Sequence, residues 1–85
     1  MTNFKELITN LKIVIKTAKY NNKSFQLDNN TTLIISNPTG YPYIYLTFSQ
    51  SKIYLNNKEI ENYLKDKKLL DTAKIKIEEY IIGNM

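Results

Sequence analysis

The sequence predicts an α+β domain: an antiparallel meander of three to four strands, flanked by an N-terminal helix and a C-terminal helical region, with the helices on one face (α-β-β-β-β-α). Three observations predict it. From Phe4 to Ala18 apolar residues recur at three- and four-residue spacing, the period of one helix face. From Ser24 to Leu55 short β-branched and aromatic runs are separated by turn residues, and short consecutive connections make neighbouring strands antiparallel. After Asn56 the helical spacing returns.

Each element has its own signal. Asn3 is placed as an N-cap with Glu6 three residues on, a variant of the capping box. Phe4, Leu7, Ile8, Leu11, Val14, Ile15 and Ala18 form the apolar stripe of the first helix, which should end near Asn21-Asn22. Ser24 to Asp28 alternates around Phe25 and Leu27, and Asn29-Asn30 reads as a hairpin turn. Thr31 to Ser36 is the second strand. Asn37-Pro38-Thr39-Gly40 is the strongest turn, with proline at the second position and glycine to supply a left-handed residue. Tyr43 to Ser49 and Lys52 to Leu55 are the third and fourth strands. Asn56 or Asn57 caps the last region, where Ile60, Tyr63, Leu70, Ala73, Ile77, Tyr80 and Ile81 share a stripe. The polar Lys65-Asp66-Lys67-Lys68 interrupts it, and Leu64, Leu69, Ile75 and Ile82 fall off it, so two helices broken near Asp66 are preferred to one long helix.

The helical stripes need a surface to bury against, and one sheet face offers it: Phe25, Leu27, Ile44, Leu46, Phe48, Ile53 and Leu55, with Leu33 and either Ile35 or Ile34. The opposite face then holds Ser24, Gln26, Thr32, Tyr43, Tyr45, Thr47 and Tyr54.

Composition bounds the chemistry. Residues 1–85 make one domain. There is no cysteine and no histidine, which removes disulfides, the usual zinc sites, the Ser-His and Cys-His nucleophile pairs and the commonest general base. The carboxylates Glu6, Asp28, Glu59, Glu61, Asp66, Asp71, Glu78 and Glu79 form no acid/base dyad or metal cage by spacing. With glycine only at 40 and 83, no phosphate-cradling loop is available. The expectation is therefore a protein that is not an enzyme, with no catalytic or metal residues and no cofactor. The stretch MTNFKELITNLKIVIK has no uninterrupted apolar run long enough for a signal peptide or span, so a cytoplasmic protein without membrane contact is expected.

Two features are candidates for binding. The first is YPYIYLTFSQ, residues 41–50, with tyrosines at 41, 43 and 45. Alternation puts Tyr43 and Tyr45 on one face, and Tyr54 on the neighbouring strand points the same way. Tyrosines on an open sheet are base-stacking platforms in some folds and protein-contact anchors in others; ordinary strand-forming tyrosine on a half-wet face is the plainer reading. No RNA-recognition consensus accompanies them. Tyr41 tips the turn before the third strand. The second feature is a stripe of Lys5, Lys12, Lys16, Lys19 and Lys23, which on one continuous helix falls within a sector of about 60°. Only Glu6 in that helix opposes it. All twelve basic residues are lysine and the net charge is +4. That favours acidic partners, while the absence of arginine argues against sequence-specific duplex readout. Lysine-rich composition also accompanies an AT-rich genome, and lysines flanking a core edge are ordinarily snorkelling side chains.

In size and order of elements the chain resembles small phage-encoded inhibitors, anti-CRISPR proteins among them; the likeness involves no motif. That resemblance implies a non-enzymatic protein that occupies a surface of a protein or ribonucleoprotein partner. Many such inhibitors are acidic mimics of nucleic acid, and this basic chain departs from them there. The expected function is accordingly partner binding, with Tyr41, Tyr43, Tyr45 and Tyr54 as anchors and the lysines as steering charges. The alternatives are non-specific, salt-sensitive binding of single-stranded nucleic acid through the same residues, and a homodimer through the tyrosine face.

Overall fold

The computed structural model describes residues 3–18, 22–49 and 51–84. Helix α1 (Phe4–Ala18) is followed by strands β1 (Asn22–Gln26), β2 (Thr31–Ser36), β3 (Tyr43–Phe48) and β4 (Ser51–Ile53), then by helices α2 (Asn57–Asp66) and α3 (Leu70–Gly83). The strands form one antiparallel sheet in the order β1-β2-β3-β4. This is the α+β layout the sequence predicts, with the C-terminal region divided into two helices.

Local chemistry sets the ends. At α1 the Glu6 N–H donates to Asn3 Oδ1 at 2.8 Å, while Asn3 Nδ2 reaches Glu6 Oε1 at 3.5 Å. Helix α2 carries a full capping box: Glu59 N–H donates to Asn56 Oδ1 at 2.9 Å and Asn56 N–H donates to Glu59 Oε1 at 3.1 Å. Asn56, not Asn57, is the cap. Such caps each stabilise by about 1 kcal/mol.

The break between α2 and α3 is a Schellman closure. Lys68 adopts φ +60°, its N–H bonds to the Lys65 carbonyl at 3.1 Å, and the Leu69 N–H reaches back to the Leu64 carbonyl at 2.8 Å. This break rephases the two helices. Leu64, off the stripe of a single straight helix, is thereby completely buried together with Ile60, Ala73 and Ile77.

Pairing registers divide the sheet cleanly. Phe25 sits opposite Leu33, Leu33 opposite Leu46, Ile35 opposite Ile44, and Leu46 opposite Ile53. Of these inward residues Phe25, Leu33, Ile35, Ile44 and Leu46 join Phe4, Leu7, Ile8, Leu11 and Ile15 of α1 and the buried residues of α2 and α3 in one hydrophobic cluster. Burying each Leu, Ile or Phe of this kind contributes roughly 1.5–3 kcal/mol. Leu33 and Ile35 are the inward pair on β2; Ile34 faces out, opposite Tyr45.

Several boundaries differ from the sequence reading: β1 ends at Gln26 rather than Asp28, β3 at Phe48 rather than Ser49, and β4 begins at Ser51 rather than Lys52. Lys23 lies in β1, so the first helix does not extend to it, and Asn22 opens that strand instead of closing the helix. Residues 19–21, including Lys19 and Asn21, lie outside the described residues. The fourth strand stops at Ile53 rather than Leu55, because the chain must turn there into the Asn56 cap.

The turns follow from single residues. Asp28 closes β1 to β2 as an Asx turn, its Oδ1 accepting from Asn30 N–H at 2.8 Å and Thr31 N–H at 2.7 Å. Gly40 takes φ +89° in the β2–β3 connection, where a side chain would be strained. Both sheet edges are guarded. Lys76 Nζ donates to the Gln26 carbonyl at the end of β1, and β4 is three residues long; short strands and lysine discourage edge-to-edge pairing. Among the described residues no helix is long and apolar enough to cross a membrane.

Candidate binding face on the sheet

The outer face of the sheet is built in rows by the strand registers. Ser36 stands beside Tyr43, Ser24 and Ile34 beside Tyr45, and Gln26, Thr32, Thr47 and Lys52 share the next row. Tyr54 follows one residue after the Leu46–Ile53 pair, so alternation turns it outward beside Tyr45. All three helices contribute to the core on the other side, and no described element covers this face.

The three tyrosines gather into one cluster. Ring centroids are 5.0 Å apart for Tyr45–Tyr54, 6.0 Å for Tyr43–Tyr45 and 6.3 Å for Tyr43–Tyr54, with interplanar angles between 27° and 37°. Their exposures assign different roles. Tyr45 is 9% exposed and is the floor of the cluster, whereas Tyr43 at 41% and Tyr54 at 61% form its walls. Aromatic contacts of this geometry add about 0.5–1.5 kcal/mol each beyond burial, so the cluster is a preorganised platform. Tyr41, 81% exposed, stands apart in the connecting loop and makes no ring contact among the described residues.

Lys52 completes the platform. Its ammonium lies 5.6 Å from the centroid of Tyr45, within the range of a cation–π contact. The sequence reading passed over it, although its alternation with Tyr54 was visible: residues two apart in a strand share a face. None of the paired outer-face positions holds a carboxylate. Seven acidic residues are on the three helices. The eighth, Asp28, is engaged by its turn: chiefly the Asn30 amide, with the Thr31 amide and hydroxyl adding to it against desolvation, holds its carboxyl below the ordinary aspartate range.

The lysine stripe is not brought to the tyrosines. Lys5, Lys12 and Lys16 are on α1 in the helical layer, with the sheet between them and the aromatic cluster. Lys23 points to the inner side of β1, its ammonium 4.9 Å from the Tyr80 ring and 5.9 Å from Phe25, where it closes the α3–β1 seam. Only the three α1 lysines remain as a ridge among the described residues.

The concave surface is elsewhere. A cavity of about 530 Å³ lies between the starts of α1 and α2, lined by Asn3, Phe4, Lys5, Asn56, Lys58 and Glu61 among others. Asn3 and Asn56 there are already spent on capping, and Lys58 pairs with Glu61 at 3.8 Å. No group of three or more acidic residues stands together as a cation cage among the described residues.

No protein-family model matches the chain, and neither a curated protein nor a solved structure is similar to it.

Proposed function

We propose that this protein is a non-enzymatic binding module that docks the outer face of its sheet onto another protein. The observation carrying the proposal is the Tyr43–Tyr45–Tyr54 cluster, with two rings open to solvent on a face that no described element covers. Rigid tyrosine supplies large contact area and a hydroxyl at low entropic cost, which is why it recurs among interface hot spots. In this reading Tyr43 and Tyr54 are the anchors, Tyr45 supports them and Tyr41 stands at the rim. The resemblance to small phage-encoded inhibitors makes occlusion of a host protein or ribonucleoprotein surface the natural consequence of such docking.

Single-strand nucleic-acid binding is less well supported. A stacking platform needs open ring faces and a succession of cations along the backbone. Here the rings lean on one another, Lys52 is the one cation beside them among the described residues, and the α1 lysines are in the other layer.

The test is affinity capture from nuclease-treated lysate with the wild type and with the Tyr43→Ser/Tyr54→Ser double variant. A protein retained by the first and lost by the folded second supports the docking reading. Retention by both, or loss on nuclease treatment alone, removes it.

A further inference from the structure

We infer that the outer sheet face receives an acidic, aromatic-bearing segment of a partner protein, with a carboxylate of that segment held by the Lys52 ammonium and its apolar side chains seated on Tyr43 and Tyr54. The inference rests on the docking reading above and specifies the partner's chemistry.

Charge complementarity is the first argument. The face presents one cation, Lys52, fixed beside the tyrosine cluster, and no carboxylate at any paired outward position. A basic segment would meet an ammonium with nothing to compensate it. An acidic segment gains a charge-assisted contact with the Lys52 ammonium.

Size is the second argument. Four strands about 4.8 Å apart, read over three outward rows about 7 Å apart, offer roughly 400 Å² once side-chain breadth is included. Two copies meeting through this face would bury about 800 Å² in total, short of the roughly 1,200 Å² at which stable interfaces begin. Each face would also meet a second face that holds the same lysine and no carboxylate at its paired outward positions. A second copy held by this face alone is thus a poor stable partner, and a segment of the same footprint makes a weak, transient contact.

The probe is a fluorescently labelled random copolymer of glutamate and tyrosine, compared with labelled oligouridine. Any polyanion is drawn to a chain of net charge +4, so the decisive contrast is between lysines. Wild-type protein should bind the copolymer saturably. Lys52→Glu should weaken binding about tenfold, Lys52→Gln less, and Tyr54→Ala about fivefold or more. Lys12→Glu and Lys16→Glu should each stay within about threefold of wild type, the effect of a distant screened charge.

Equal losses at Lys12 and Lys52 would overturn the inference in favour of bulk charge. Tighter, tyrosine-dependent binding of oligouridine would overturn it in favour of nucleic acid, and no copolymer binding would also overturn it. The two readings fail separately. If the tyrosine variants abolish partner capture while Lys52→Glu leaves it intact, the acidic segment is wrong and docking stands; if capture survives the tyrosine variants, docking itself is wrong.

Discussion

Strand β3 carries two kinds of large side chain on opposite faces. Ile44 and Leu46 point inward and are buried in the one hydrophobic cluster to which all three helices contribute. Tyr43 and Tyr45 point outward and meet chiefly one another and Tyr54. The inner face loses nearly all its contact with water, so its contribution goes to folding. The outer face keeps two rings wet while holding them in place. A side chain that is ordered yet exposed has surface left to give to a partner, and the comparison locates that surface on the tyrosine side.

The comparison can be broken first at the inner face. Leu46→Ala removes a completely buried side chain and should destabilise the protein by about 3 kcal/mol, read as a lower urea midpoint. A loss below about 1 kcal/mol would mean that the two faces do not differ as described. Tyr45→Ala, at the floor of the aromatic cluster, should cost about 1–2 kcal/mol from lost area and ring contacts. Tyr54→Ala, which loses two ring contacts but less burial, should cost about 1 kcal/mol; thermal melts of the pair should preserve that order.

Positions outside both faces sharpen the scale. Lys68 occupies the left-handed position of the α2–α3 break, a conformation that strains a residue with a Cβ. Lys68→Gly should raise stability by up to about 1 kcal/mol, with partner binding unchanged. The smallest effect is at Asp28. Its carboxyl titrates below the ordinary aspartate range because the Asn30 and Thr31 donors hold the charged form. Its folded-state pKa being the lower one, the contribution is complete above the unfolded value and disappears as pH falls through the folded value. Asp28→Asn should therefore flatten the acid limb of the stability–pH curve relative to wild type, and parallel limbs would contradict the Asx-turn account.

What the sequence revealed about this fold was mostly local. Asn3, Glu6 and Gly40 each act within a few residues and occupy the expected positions, and Asn56 is one of the two caps the sequence offered, while its partner Glu59 had not been singled out. The break after Asp66 was readable because four polar residues cross an apolar stripe. Pairing was less readable: Ile34 and Ile35 are equivalent by composition, and only registration against Tyr45 and Ile44 decides which turns inward. The candidate face was half readable. Alternation placed Tyr43, Tyr45 and Tyr54 together, but the near-burial of Tyr45 depends on rings from two other positions. The lysine stripe failed for a similar reason. Spacing that is regular along a helix says nothing once the chain leaves it, and Lys23 belongs to a strand.

The most direct test of the central claim, that the outer tyrosines serve a partner and not the fold, is partner capture by the Tyr43→Ser/Tyr54→Ser variant after its folding has been verified by urea unfolding. The expected result is a variant that keeps a cooperative urea transition, about 1–3 kcal/mol below wild type for the ring contacts it loses, and that no longer retains the partner. A folded variant that retains it, or one that loses several kcal/mol and unfolds, would contradict the account.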